Sequence, residues 1–185
     1  MANKGKIEVD LFSPASVNNA IAQLNLYKRT FDNKIDDFTR KLAEKGVEIA
    51  KGKIRTFYAI FTGELLNNIR AENRKGTYLI ISDTDHTAFV EFGTGQLGLV
   101  KSYKYPFPQG VSWQYASGSQ VQISSEPLQW GDYTIPANTY FWFYFGKDGR
   151  WHLTQGMPSR PFMYETALSL SRLKTIREVA KEVFG

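Results

Sequence analysis

The sequence predicts an α+β fold: a small antiparallel sheet packed by long N-terminal helices and a C-terminal helix. Three observations carry that expectation. Apolar residues recur every three to four positions between Val17 and Phe57, and again between Phe162 and Val183, which is the spacing of amphipathic helices. Two pairs of short apolar runs, near 69–82 and 140–154, are each joined by a glycine-containing turn, as in β-hairpins. Strands and helices do not alternate in the βαβ rhythm of a parallel sheet.

The elements follow in order. Lys6–Phe12 alternates Ile7, Val9 and Leu11 with charged residues, a short half-buried strand that Ser13-Pro14 breaks. Ser16 caps a helix to about Tyr27, with Val17, Ala20, Ile21 and Leu24 on one side. A second stripe runs through Phe31, Ile35, Phe38, Leu42, Ile49, Ile54 and Phe57, and slips near Gly46. If continuous from Phe31 to Phe57, that helix is about 40 Å long at ~1.5 Å per residue. A small sheet cannot cover such a rod, so part of it is expected to meet another subunit.

Thr62 is read as the cap of a fresh helical start at Gly63-Glu64-Leu65-Leu66. Residues 68–73 and 77–82 form a hairpin about Lys75-Gly76. A short helix from about His86 to Phe92 follows, and Gly93 and Gly95 end it. Residues 96–138 hold no sustained period, four prolines and many aromatics, and are read as an ordered extended insertion with a hairpin near Ala116–Ser119. Its aromatics predict a surface that something covers. Tyr140–Phe145 is a strand apolar on both faces, returned through Gly146–Gly149 to Arg150–Thr154. Ser159 or Arg160 caps the last helix, with Pro161 in its first turn and Phe162 and Met163 entering the core. The 185 residues are thus read as one domain. It has an N-terminal helical region at about 16–58, an α+β core at about 62–95 and 139–185, and the aromatic insertion at about 96–138.

Composition narrows the function classes. Cysteine is absent, which removes disulfides and thiolate metal sites. Net charge is +5, but acids and bases are interspersed, so Lys41–Lys53 reads as a solvated helix face rather than a nucleic-acid stripe. No stretch approaches the ~20 apolar residues of a membrane span. The first ten residues lack the apolar core of a secretion signal, and a cytoplasmic location is expected.

Little in the sequence points to catalysis. Gly93-x-Gly95-x-x-Gly98 has the spacing of a dinucleotide fingerprint. No helix is expected after it, and the first acid downstream, Glu126, lies beyond the place for a ribose ligand. These glycines are read as turn formers, and no cofactor is expected. Asp83, Asp85 and His86 do not make a metal set on one helical face, and no Gly-x-Ser-x-Gly elbow exists. Glu91, among Phe89, Val90 and Phe92, has two readings: a tuned acid or base with Glu126, or a carboxylate that caps backbone N–H groups or pairs with Arg70, Arg74 or Arg160. The second is preferred, because no further catalytic group is identifiable. Glu91 is expected to tie its helix to the Arg160–Met163 turn.

Several motifs in order carry a resemblance. They are Thr62-Gly63-x-Leu65 before a hairpin, Ala88-x-Val90-Glu91-Phe92-Gly93-Thr94-Gly95, Trp151-His-Leu-Thr154-x-Gly156-Met-Pro158, and Arg160-Pro-Phe-Met163 opening a C-terminal helix. Together they resemble the head–tail joining and tail-completion (neck) proteins of tailed bacteriophages, related to minor tail protein Z. The resemblance implies a structural virion protein with no enzymatic activity, made in the host cytoplasm and placed at the head–tail junction. It implies a homo-oligomeric ring that meets connector, tail-terminator or tail-tube proteins, with non-specific contact to genomic DNA in the channel and none to a membrane.

The residues expected to form the structural junction are Glu91, Gly93, Gly95, Arg160, Pro161 and Phe162. The candidate contacts with other subunits are Trp113, Tyr115, Trp130, Tyr140, Trp142 and Tyr144. Two readings from other classes are a cytoplasmic nucleic-acid-binding module using basic helices and exposed aromatics, and a small hydrolase built on Glu91 with His86 or His152.

Overall fold

A computed structural model describes residues 6–57, 59, 63–113, 122–123, 125–146 and 148–185. Its organising element is α1, Pro14–Thr56, an unbroken helix of 43 residues. At ~1.5 Å per residue it is about 65 Å long. The two predicted N-terminal helices are therefore one, because no residue between Tyr27 and Phe31 breaks the helix. Its cap is Ser13 rather than Ser16: the Ser13 side chain accepts the Ser16 N–H, and Pro14 takes the first turn where its missing N–H costs nothing. The expected strand at Lys6–Phe12 is absent. Alternation alone does not make a strand without a partner ladder. The segment instead turns: Phe12 N–H donates to Asp10 Oδ1, and Asp10 N–H to Ser16 Oγ.

After Gly63 comes α2, Glu64–Asn68, then a hairpin of β1, Ile69–Arg74, and β2, Thr77–Ser82. The register pairs Ile69 with Ser82 and Arg74 with Thr77. Lys75 and Gly76 both have positive φ, 54° and 84°, the two-residue turn whose twist suits a hairpin. The predicted cap Thr62 lies outside the described residues. Next is α3, Thr87–Phe92, followed by α4, Gly95–Val100. The second of these helices was not expected, since the sequence reads as irregular from Gln96.

Within the insertion, β3, Gln122–Ile123, and a small hairpin of β4, Leu128–Trp130, and β5, Tyr133–Ile135, also form. The hairpin expected near Ala116–Ser119 lies outside the described residues. β6, Tyr140–Phe145, pairs with β7, Trp151–Thr154, and β3 pairs on the other edge of β6. Among the described residues, the antiparallel strands fall into three small sheets.

The C-terminal helix comes in two pieces, α5, Phe162–Leu170, and α6, Leu173–Phe184. Ser171 and Thr175 turn their hydroxyls to the Leu168 and Ser169 carbonyls, and Arg172 becomes extended between the helices.

The core sits where the second half of α1 packs on β1, β2 and α5, with Val90 of α3 joining it. Ala50, Ile54, Leu65, Ile69, Val90 and Phe162 are buried together there. Gly46 lets α1 approach closely: a Cβ there would lie 2.1 Å from Ile80 Cδ1 and 2.8 Å from Leu170 Cδ1. The slip of the stripe at Gly46 marks this crossing. Lys53 and Glu165 pair at 2.5 Å across α1 and α5.

Candidate functional site: the Glu91 junction

The predicted junction residues meet in one place. α3 presents Glu91 toward the N-terminus of α5, where the first backbone N–H groups lack helical acceptors. Pro161, at the cap position, makes no side-chain cap hydrogen bond. Glu91 fills that role from another element: Oε2 accepts Met163 N–H at 2.9 Å and Oε1 accepts Tyr164 N–H at 3.1 Å. Neither Ser159 nor Arg160 caps the helix as expected. Ser159 Oγ donates instead to the Glu91 carbonyl at 2.7 Å, and Arg160 N–H to the Val90 carbonyl at 2.8 Å. The ion pairs considered for Glu91 are not what holds it. Arg70 pairs with Asp83 and Glu72, and Arg74 with Glu72.

Glu91 is 5% exposed. Burial pushes its carboxyl above the usual carboxylate range, against the backbone N–H groups of Met163, Tyr164 and Phe162 that favour the charged form.

Gly93 and Gly95 complete the junction, and each is required by geometry. Gly93 ends α3 with φ +81°, and a Cβ there would lie 2.7 Å from Ser159 N and 3.0 Å from Met157 O. Gly95 opens α4 with φ +60°, rather than ending α3, and a Cβ would lie 2.3 Å from the Trp142 ring. Between them Thr94 pairs with Met157 in a two-way bridge, N–H to O at 2.8 and 3.1 Å. Leu97 N–H donates to Gln155 O. The 155–161 loop thus lies between α3 and α4. Phe162 is fully buried in the core, as expected.

Of the expected contact residues, Trp113 is half-buried against the junction. Its Nε1–H donates to Gly93 O at 2.6 Å, and its ring lies 5.4 Å from Phe92 and 5.6 Å from Phe89. Trp142 lies over Gly95. Trp130 is exposed, with its ring 4.6 Å from Phe143. Tyr140 and Tyr144 belong to β6, but their side chains, and all of Tyr115, lie outside the described residues.

Residues 103–107 also fold back here. Tyr105 stacks on Tyr164 at 4.1 Å, and Tyr103 packs edge-on to Phe92 at 5.0 Å. Tyr103 and Tyr105 are thus half-buried against their own chain, while Phe107 stays exposed.

A cleft of about 360 Å³ lies beside the junction, with Asp85, Glu91, Phe92, Tyr103 and Tyr164 among its walls. Burial, with the Glu91 charge, pushes the Tyr103 phenol up to about 12. Among the described residues, no group of three or more His, Asp or Glu is placed to hold a metal ion, and no helix is long and apolar enough to cross a membrane. Asp83 is committed to Arg70, and His152 lies 2.9 Å from Asp148 in the β6–β7 hairpin.

Comparisons with protein families, with curated proteins and with solved structures find no match.

Sequence reasoning missed Thr94 and Ser159 as fasteners of the junction. Both are small hydroxyl residues beside glycine or proline in loops, and that is the signal available for them.

Proposed function

We propose that this chain is a structural subunit of a tailed-bacteriophage particle, forming a ring at the head–tail junction that completes the tail and joins it to the head connector. The observation that carries the reading is how the resembling motifs combine. Ala88–Gly95 is more than fifty residues from the adjoining motifs Trp151–Pro158 and Arg160–Met163, yet they lock into one unit through Glu91, Thr94 and Arg160. Such a set behaves as a scaffold. Glu91, a buried acid at the edge of the cleft, has both carboxylate oxygens engaged by the N–H groups that open α5.

Unpaired apolar surface supports the same reading. The first half of α1 stands away from the core and exposes Ile21, Leu24, Tyr27, Phe31 and Ile35. A closed homo-oligomer buries such faces between its subunits. Charge on the assembled ring is mildly basic, which suits passage of DNA without sequence readout.

The test is native mass measurement of the purified chain, alone and mixed with tail-tube and connector proteins of a phage that encodes it. A closed oligomer, or one formed on docking, is expected. A chain that stays monomeric and binds neither partner rejects the reading. Salt-sensitive retention on a nucleic-acid column without any ring would instead favour the nucleic-acid-binding module.

A further inference from the structure

The first half of α1 carries a seam of specific geometry. From Val17 to Leu42 the inward positions step alternately by four and three residues, with Lys28 the one polar member. That 3.5-residue repeat is the pattern by which one helix packs along another. The upper end of the seam is filled within the chain: the Phe184 ring of α6 lies 6.0 Å from Phe38 and 6.5 Å from Phe31. Around and below that contact the seam stays half open: Ile21, Leu24, Phe31 and Ile35, with Tyr27 at its flank, are 41% to 69% exposed, while Ala20 beside it is buried.

We propose that this lower seam is the docking surface for the same helix of a second copy, so that two α1 helices lie side by side along residues 17–35. The identity of the occupant rests on the homo-oligomeric reading above: a seam that meets its own copy pairs subunits, and a ring then closes through a second, heterologous contact between pairs. Area supports it. Five half-exposed large side chains present on the order of 500 Å² of apolar surface, close to the apolar share of the ~800 Å² that one partner gives to a standard interface. Charge supports it as well. Residues 14–37 carry Lys28, Arg29 and Lys34 against Asp32, Asp36 and Asp37, a neutral segment in a chain of net charge +5. A surface meant for DNA, or for a partner of one sign, would be one-sided; a balanced one can meet its own copy. Lys28 within the seam costs stability but restricts register, the known use of a polar residue at such a position.

The chain has no cysteine, so single cysteines report the contact directly. Under mild oxidation, Leu24→Cys alone cross-links if the helices run parallel. A mixture of Leu24→Cys and Lys28→Cys chains cross-links if they run antiparallel. Either product supports the seam, and Asn33→Cys, on the opposite side of α1, is expected to give neither. Leu24→Asp with Phe31→Asp should weaken self-association at least tenfold in sedimentation while the helical circular dichroism is kept. Association unchanged in that double variant, or equal cross-linking at 24 and 33, overturns the proposal. If the double variant still forms rings on the connector, the seam is wrong and the ring reading stands. If seam cross-links form but neither tail-tube nor connector binds, the seam stands and the head–tail reading falls.

Discussion

Glu91 accepts the backbone N–H of Met163 at 2.9 Å, so a carboxylate on α3 caps a helix that begins 71 residues later in the chain. The second oxygen takes Tyr164 N–H at 3.1 Å. Helix N-termini are normally capped by the residue just before them. Here Pro161 stands at that position and offers no side-chain acceptor. The cap is supplied through space, and the positive end of α5 receives a negative charge. The consequence is mechanical: α3 cannot move relative to α5 without leaving two buried donors unpaired.

Replacing Glu91 with Ala should therefore destabilise the fold. Two orphaned N–H groups in a largely buried place cost about 1–3 kcal/mol. Urea unfolding at neutral pH is the measurement, with the midpoint moving down and the slope unchanged. A loss within a few tenths of a kcal/mol would mean that water replaces the carboxylate freely and that the junction is not held by this cap.

The same group predicts a pH dependence. Burial holds the folded-state pKa of Glu91 above its ordinary 4.5. A carboxyl in that state binds its proton more tightly when folded than when unfolded. The proton-linked part of its contribution is therefore fully present below the ordinary value and is lost as pH rises through the higher folded value, while the cap on the Met163 and Tyr164 N–H groups remains. The stability difference between wild type and Glu91→Ala should shrink from acid toward neutral pH. Subtracting the variant removes the common background of other carboxylates. A difference that grows with pH would show that the two N–H groups outweigh burial.

Gly93 and Gly76 make an instructive pair. Both have positive φ, +81° and +84°, but Gly93 combines it with ψ 167°, a region that only glycine enters readily, so alanine there meets a larger backbone penalty as well as a closer neighbour. Nothing lies within 4 Å of a Cβ at Gly76, whereas one at Gly93 meets Ser159 N and Met157 O, which are backbone atoms and cannot rotate away. Gly76→Ala should cost about 1 kcal/mol. Gly93→Ala should cost clearly more, because the 157–159 loop must shift and the Thr94–Met157 bridge strains. Thermal denaturation of the two variants compares them, and equal losses would sink the close-packing account of Gly93.

The junction was legible in the sequence because its residues are unusual for their places. Glu91 sits among three large apolar residues, and glycines follow two and four positions later. Such an acid needs a buried partner, and the Arg160–Met163 turn was the one nearby helix start. The atoms of the contact were less legible. Arginine was a natural partner by charge, but the backbone N–H groups won because α5 offers them already aimed. The long helix was seen as two, since periodicity says where a stripe lies but not whether a polar stretch such as 27–31 interrupts it. α4 was missed because Gly95-Gln-Leu-Gly98 has poor helix propensity; the bonds from Leu97 to Gln155 and from Gly98 to Thr94 anchor it regardless. The strand at 6–12 failed for the opposite reason: its local pattern was right, but none of the described strands pairs with it.

Trp113 tests whether the aromatic insertion is part of this fold. Its indole N–H reaches Gly93 O at 2.6 Å, and its ring leans on Phe89 and Phe92. Trp113→Phe keeps most of the ring contact but leaves the Gly93 carbonyl unpaired, at about 1 kcal/mol. Trp113→Ala also removes the aromatic packing. For a half-buried ring this should add roughly another 1–2 kcal/mol, less than the 3–5 kcal/mol typical of a fully buried one. The ordering Ala worse than Phe worse than wild type, read from urea midpoints, is the expected result. Limited proteolysis gives an independent readout, with cleavage near residues 101–113 rising in the same order. If Trp113→Ala leaves both stability and cleavage unchanged, the tryptophan does not fasten the insertion to α3, and its place against Gly93 contributes nothing to holding the junction closed.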